Sequence, residues 1–222
     1  MAPIRGVLGS KRQGVVSMTK SKFLFYAAAT YCVLLIANNT IAGKTFDVFG
    51  FSWSSAFVTF PVVYILNDVF TEVYGFKTAR KVVFMGFILN LAAVLVYQIA
   101  IIVPGSAHFT AQPAFEAVFS TTPRALAASF GGYLVGSTLN AKIMQVMHDR
   151  HGERHLMARC VVSTLFGELS DAAVFNFGMF LGVMPAQVIL ATVVSFGLAK
   201  VAYEVVMFPV TKVVIGKVKQ LD

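Results

Sequence analysis

Six long apolar segments dominate this sequence and limit what the chain can fold into. They lie near residues 23–43, 54–75, 82–104, 124–147, 159–182 and 188–212. Each is long enough to cross a hydrocarbon core about 30 Å thick as a helix rising 1.5 Å per residue. Within lipid, backbone polar groups must be satisfied by a helix or a closed barrel, and continuous apolar runs are not barrel strands. The pattern therefore predicts an all-α membrane protein with six transmembrane helices.

The composition leaves little room for anything besides these helices. Of the 222 residues, 57% are hydrophobic and 13% are charged, whereas soluble domains are about 45–50% apolar and about 25% charged. A soluble enzyme or a disordered chain is therefore not expected. We expect residues 1–21 to be a disordered basic tail, 22–215 the transmembrane domain and 216–222 a short cytoplasmic tail. Cys32 and Cys160 lie in apolar stretches and form no CxxC metal motif.

Positive charge predicts the orientation of the helices. Fifteen Lys and Arg residues fall in the two tails and in the connections after the second and fourth segments. Only Lys44 and Arg124 fall on the alternate side. Cytoplasmic loops are enriched in Lys and Arg, so both termini are expected in the cytoplasm. The net charge of +8 is thereby explained without a nucleic-acid partner, and contacts with membrane lipids are expected instead.

Six helices with both ends on one side divide into two halves of three with opposite orientation, as in many secondary transporters. Acidic pairs in the middle helix of each half, Asp68/Glu72 and Glu168/Asp171, are consistent with such a 3+3 inverted pseudo-repeat, although coincidence is an equal alternative. The fourth segment carries a small-residue stripe that includes Gly132 and Gly136. Such stripes allow close helix packing. We expect packing within the chain, with a homo-oligomer interface as the alternative.

Six ionisable side chains lie inside the predicted helices. They are Asp68, Glu72, Glu168, Asp171, Lys200 and Glu204. An ionised group at the bilayer centre costs about 2.5–3.5 kcal/mol even on lenient scales, so these groups should face a shared interior. The i,i+3 and i,i+4 spacings place each pair on one helix face. Lys200 is expected to pair with Asp171 or Glu204, and a buried network that only fixes helix packing is the structural alternative.

Five acids against one lysine leave an excess of negative charge in this interior. Some acids must be protonated, bind a cation or await a ligand rich in N–H donors. Amides in the same segments, including Asn38, Asn67 and Asn140, suit a hydrogen-bonding organic solute better than a bare metal ion. We therefore predict no metal and no cofactor. The histidines of 148–155 could suggest a metal, but the stretch is better interpreted as a basic loop at lipid head groups.

Several stretches resemble the queuosine precursor transporter family, also called the vitamin uptake transporter family. They are ANNTIAGK (37–44), FPVVYILNDVFTEVYG (60–75), AR (79–80), TPRALAASFGGYLVGSTLN (122–140), STLFGELSD (163–171) and KVAYEVVMFP (200–209). The resemblance covers roughly residues 23–215. Members are six-helix inner-membrane proteins that import 7-deazaguanine precursors of the tRNA base queuosine, preQ0 and preQ1. It implies a transporter, not an enzyme, in a bacterial inner membrane.

The resemblance carries over to individual positions. The matching residues are Asn38, Lys44, Asp68, Glu72, Gly75, Arg80, Ser163, Glu168, Asp171, Lys200 and Glu204. One departure is Ser137, where relatives often have Gln or Glu, which leaves the preferred substrate within the class open. A carboxylate can accept both donors of a guanine-like edge. The hypothesis is that Asp171 or Glu168 binds this edge, Lys200 binds the carbonyl and Asp68/Glu72 gate the cytoplasmic side.

Other function classes account less well for the residues. No HExxH, GxSxG or P-loop motif is present. One alternative is a substrate-capturing subunit of an ATP-driven vitamin transporter, because this chain contains no ATPase motif of its own. Another is a secondary transporter of a different small nitrogenous solute.

Overall fold

The computed structural model describes residues 18–151 and 156–222, and this part of the chain is predominantly helical. The helices are α1 (Lys20–Ile41), α2 (Phe60–Tyr74), α3 (Phe76–Ile102), α4 (Gln112–Phe119), α5 (Thr122–His151), α6 (Leu156–Phe180) and α7 (Ala186–Lys219). Each predicted apolar segment thus overlaps one helix, and α2 is the shortest of these with 15 residues. Within the described residues, α1, α3 and α7 are long and apolar enough to cross a membrane. The interpretation of the histidines in 148–155 rests largely on side chains outside the described residues.

The two ends of the described chain meet at one end of the bundle, which we call the terminal end. The amide of Lys20 donates to the carbonyl of Asp222 at 2.7 Å. Tyr74, at the end of α2, donates to the carbonyl of Lys20 at 2.8 Å. Lys219, at the end of α7, lies 3.8 Å from Glu72. The starts of α1 and α3 and the ends of α2 and α7 therefore lie together.

A β-hairpin, which the sequence analysis did not predict, lies between α1 and α2. Strands β1 (Thr45–Val48) and β2 (Phe51–Ser54) pair antiparallel and are followed by a 3₁₀ turn, Ser55–Val58. Phe49 and Gly50 form the connecting turn with φ of 49° and 83°. The predicted segment 54–75 thus begins six residues before α2, while the described residues are predominantly helical, as expected for an all-α membrane protein. The difference has a physical cause. The end of the hairpin and the 3₁₀ turn are apolar, so the apolar run in the sequence begins before the helix does.

Three further boundaries differ from the sequence prediction. Gly75, with φ of 82°, alone separates α2 from α3, so Lys77 and Arg80 lie in the first turns of α3 instead of a loop. Helix α7 continues to Lys219, so the predicted tail from 216 is helical for its first four residues. Helix α5 (Thr122–His151) extends beyond the predicted segment 124–147 at both ends.

The buried apolar residues form two clusters, one for each set of three consecutive long helices. Tyr31, Phe70 and Phe87 belong to the cluster that joins α1, α2 and α3. The other cluster joins α5, α6 and α7 and includes Ile189 and Phe196. Five helices, α1, α2, α5, α6 and α7, supply the walls of a polar cavity described below.

Helices α5 and α6 pack with their backbones in contact. A Cβ on Gly136 would lie 2.8 Å from the carbonyl oxygen of Gly167, and one on Gly167 would lie 2.9 Å from the Cβ of Asn140. Neither position has space for a side chain, because such short contacts force atoms apart. The small-residue stripe thus packs within the chain, as preferred from the sequence.

Candidate functional site

A cavity of about 260 Å³, which we call the chamber, lies among five helices. Its polar and aromatic lining comprises Tyr31, Asn38, Phe60, Tyr64, Asn67, Tyr133, Ser137, Asn140, Glu168, Asp171 and Lys200. Six of the nine predicted site residues are therefore brought together here. Carboxylates, amides and an ammonium group next to aromatic rings offer both donors and acceptors to a flat polar ligand.

Lys200 is the most buried charge in the chamber. Its Nζ donates to Asp171 Oδ2 at 2.5 Å and lies 3.1 Å from Glu168 Oε2. The alternatives left open by the sequence are thus decided in favour of Asp171, with Glu168 as an additional partner. The Lys200 side chain is 8% exposed, against 18% for Glu168 and 26% for Asp171. Two carboxylates for one ammonium leave the cluster with a formal charge of −1 when all three groups are ionised.

Aromatic rings hold both the ammonium and one of the carboxylates in place. Lys200 Nζ lies 5.4 Å from the ring centroids of Phe60 and Phe196, a distance at which a cation is attracted to the ring face. The hydroxyl of Tyr64 donates to Glu168 Oε1. Glu168 is therefore engaged through both oxygens, by Tyr64 and by Lys200, which leaves Asp171 as the more accessible carboxylate.

Glycine on α5 lets Asp171 occupy its position. A Cβ on Gly132 would lie 2.7 Å from Asp171 Oδ1 and 3.0 Å from its carbonyl oxygen, and one on Gly136 would lie 2.9 Å from its Cβ. The carboxylate thus packs directly on the helix backbone. At the other side of the chamber, Asn38 accepts a hydrogen bond from Thr59, the residue before α2.

A larger cavity of about 860 Å³, the vestibule, continues from the chamber towards the terminal end. It shares Tyr64, Asn67, Tyr133, Ser137 and Asn140 with the chamber and extends to Lys219. The remaining predicted site residues, Asp68, Glu72 and Glu204, line the vestibule and not the chamber. Glu72 and Lys219 form an exposed pair at its mouth.

The sequence analysis missed the aromatic part of the site. Phe60, Tyr64, Tyr31 and Tyr133 line the chamber but were not selected, because aromatic residues are common throughout such segments. A signal was nevertheless present. Phe60 and Tyr64 precede Asp68 at four-residue intervals on one face of α2, so the face that carries the acid also carries the rings.

Comparisons with known proteins identify the family of this chain. The family model described as "Putative vitamin uptake transporter" matches residues 54–214. The chain belongs to this family. Because the family consists of transporters and the apolar helices fit a lipid environment, the chain is a multi-pass membrane protein of the transporter type, as predicted.

Two curated relatives cover most of the chain. A protein named "Probable queuosine precursor transporter" from Bacillus subtilis (strain 168) is 28% identical over 84% of this chain and 80% of its own length. The "Queuosine precursor transporter" of Escherichia coli (strain K12) is 24% identical over 72% of this chain and 69% of its own length. No solved structure matches significantly. The sequence-based assignment to the queuosine precursor transporter family is thus confirmed.

Proposed function

We propose that this protein imports 7-deazaguanine precursors of queuosine, preQ0 or preQ1, across the inner membrane of a bacterium. The observation that carries the proposal is the Glu168–Lys200–Asp171 cluster, which is buried in an aromatic-lined chamber. The names of the two curated relatives support the substrate class. The chamber binds the ligand without covalent chemistry, and the protein is not an enzyme.

The structure suggests which carboxylate binds the base. Glu168 is held by Tyr64 and Lys200, whereas Asp171 is the most exposed member of the cluster. Asp171 accepts the two N–H donors of the guanine-like edge, as a carboxylate accepts the two donors of an arginine. Lys200 Nζ donates to the ring carbonyl, and the rings of Phe60 and Tyr64 contact the flat face of the base.

Transport requires a defined orientation. The six helices other than α4 span the membrane, and the terminal end faces the cytoplasm because the basic residues Lys20, Lys77 and Lys219 lie there. The two apolar clusters, each joining three consecutive long helices, support an inverted 3+3 organisation. The contact between Tyr64 of α2 and Glu168 of α6 joins the middle helices of the two halves at the ligand. Assembly into a homo-oligomer stays a prediction.

The decisive test is rescue of uptake. The chain is expressed in bacteria that cannot synthesise preQ0 and lack their own importer, preQ0 or preQ1 is supplied at low concentration, and queuosine is measured in tRNA. We expect rescue by the native chain and at least a tenfold loss with Asp171→Asn or Lys200→Ala, because each removes a charged hydrogen bond worth about 1.5–3 kcal/mol. Glu116→Gln is the matched control, since Glu116 lies on α4 and bonds to Gln112.

The alternatives give different results in the same assay. If the native chain is present in the membrane and modification does not return, the solute is different or the chain is a capturing subunit that needs an ATP-driven partner. Copurification with an ATPase would then identify the capturing subunit. Normal rescue by both Asp171→Asn and Lys200→Ala would exclude the proposed recognition while the import function stands.

A further inference from the structure

The hairpin packs on the side of the chamber that faces away from the vestibule. Its contacts on α7 precede Lys200, whereas the vestibule is lined by residues of α7 that follow Lys200. The indole Nε1 of Trp53 on β2 donates to Ser195 Oγ on α7 at 3.1 Å. Thr192, one turn earlier on α7, donates to the carbonyl of Ser52 at 3.0 Å. Ser54, at the end of β2, is buried and donates to the carbonyl of Ala42 at 2.9 Å. The hairpin is thus joined to α7 through side chains and is fixed at its base to the end of α1.

A continuous set of aromatic contacts leads from the hairpin to the charge cluster. Trp53 packs on Phe57 with a centroid distance of 4.8 Å and on Phe196 at 5.9 Å. Phe57 stacks on Phe60 at 5.5 Å with the rings 8° from parallel. Phe60 and Phe196 are the two rings that contact the ammonium of Lys200. A displacement of Trp53 therefore changes the surroundings of Lys200 through one intermediate ring.

A transporter must open its binding site to each side in turn. In this structure the chamber continues through the vestibule to the terminal end, so an element at the hairpin end has to move. Helices α5 and α6 are poor candidates, because their backbones are in contact at Gly136 and Gly167. The hairpin is held to α7 by few hydrogen bonds and by ring contacts, and its tip residue Phe49 is 98% exposed.

We propose that residues 45–58 form the outer gate of the chamber and that Trp53 is a positioning residue that couples this gate to Lys200 through Phe196. The proposal rests on the import function proposed above. When the gate opens, the bond from Trp53 to Ser195 breaks and the face of α7 that carries Ser195 becomes accessible from outside. When it closes, the rings of Phe60 and Phe196 return to the ammonium and orient it towards the chamber.

Cysteine labelling in intact cells tests the gate. Ser195→Cys and, separately, Phe49→Cys are introduced into the chain that retains Cys32 and Cys160, and a membrane-impermeant maleimide is added from outside. We expect rapid labelling at position 49, because that side chain is exposed in every state. Labelling at 195 should be at least tenfold slower. The parent chain supplies the background from the native cysteines, and buried Cys32 reports any unfolding.

A second substitution shows whether Trp53 is the closing contact. In the Ser195→Cys chain the hydroxyl that accepts from Trp53 is already absent, and Trp53→Ala should raise the labelling rate at 195 on the order of tenfold because it removes the two aromatic contacts of the indole. Trp53→Phe retains the ring and should raise the rate less. The labelling of Cys32 should not change, which separates gate opening from a general loss of structure. Because Trp53 is the single tryptophan of the sequence, its emission should shift to the blue when preQ1 closes the gate.

These outcomes distinguish the gate from the function on which it rests. Equal labelling rates at 195 and 49, or a rate at 195 that Trp53→Ala does not change, would overturn the gate even if tRNA modification is rescued. Labelling of position 49 only after the cells are broken would place the hairpin in the cytoplasm and overturn both its outer position and the proposed orientation. Failed rescue with the expected labelling pattern would leave the gate standing and reject import of preQ0 or preQ1 by this chain alone.

Discussion

Substitutions at Lys200 and its two acidic partners should show that the charge cluster affects the stability of the fold and the transport activity in different ways. The ammonium of Lys200 is 8% exposed and is the shared partner of Asp171 at 2.5 Å and Glu168 at 3.1 Å. Lys200→Met keeps most of the side-chain volume and leaves two partly buried carboxylates without their cation. Removal of one partner from a buried ion pair costs about 3–5 kcal/mol. At about 2–4 °C per kcal/mol for a chain of this size, the apparent Tm should fall by roughly 10 °C.

The compensating variant is the triple substitution Lys200→Met, Glu168→Gln, Asp171→Asn. It removes all three charges together, so no carboxylate is left without its cation, and an uncompensated charge is what makes a broken buried pair costly. The side-chain amide that Glu168→Gln introduces has a carbonyl oxygen that can still accept the hydrogen bond from Tyr64. We therefore expect the triple variant to unfold close to the native temperature while uptake, measured as tRNA queuosine in the rescue strain, stays lost.

Thermal unfolding in one detergent and uptake in one strain are the two measurements. Lys219→Met is the matched control, since Lys219 is 52% exposed and its contact with Glu72 is 3.8 Å long. An exposed pair of this kind contributes at most about 1 kcal/mol. An unchanged Tm for Lys200→Met would refute the claim that the ammonium of Lys200 stabilises the fold by neutralising the two carboxylates. Restored uptake by the triple variant would refute a role for these charges in binding the base.

Two further predictions concern residues that hold the cluster in place. Gly132→Ala would place a methyl group 2.7 Å from Asp171 Oδ1, so uptake should fall at least tenfold. Gly131→Ala is the control and should retain most uptake, because its Cβ would lie 3.3 Å from a single methyl group of Val174 and needs a shift of only a few tenths of an ångström. Tyr64→Phe removes the hydrogen bond to Glu168 and should lower stability by about 1.5–3 kcal/mol, seen as a lower apparent Tm; an unchanged Tm together with full uptake would contradict the positioning role of Tyr64.

Much of this site was predictable because a buried charge is expensive. The cost of placing Glu168, Asp171 and Lys200 in lipid is large enough that the sequence alone indicates a shared interior. The same argument could not choose the partner of Lys200. Glu204 lies one turn away on the same helix, but the side chain of Lys200 reaches across to α6 instead. Which acid pairs with Lys200 depends on how each helix is rotated about its axis. A helix that is apolar on all sides gives no sequence signal for that rotation.

The β-hairpin was not predicted from the sequence, for a different reason. Residues 51–58 include Phe51, Trp53 and Phe57, so a hydropathy window that reaches α2 counts them as part of a span. A local signal was present in Pro61, which lies in the first turn of α2, because proline is favoured at a helix start and costly inside one. The hairpin is stabilised by tertiary contacts with α7, and these are not visible in a local pattern.

The charge cluster is better explained by ligand binding than by stability. A buried ion pair is often no more stabilising than well-packed apolar side chains of similar volume, so packing alone does not require Lys200 between two acids. Among the described residues, Glu168 Oε2 accepts no hydrogen bond, and the cluster borders a cavity instead of a close-packed interior. A ligand with parallel N–H donors and a carbonyl would use both the excess acceptors and the ammonium. An analogue without the N–H donors would leave the carboxylates unpaired and would therefore bind more weakly. Buried polar sites achieve specificity in this way.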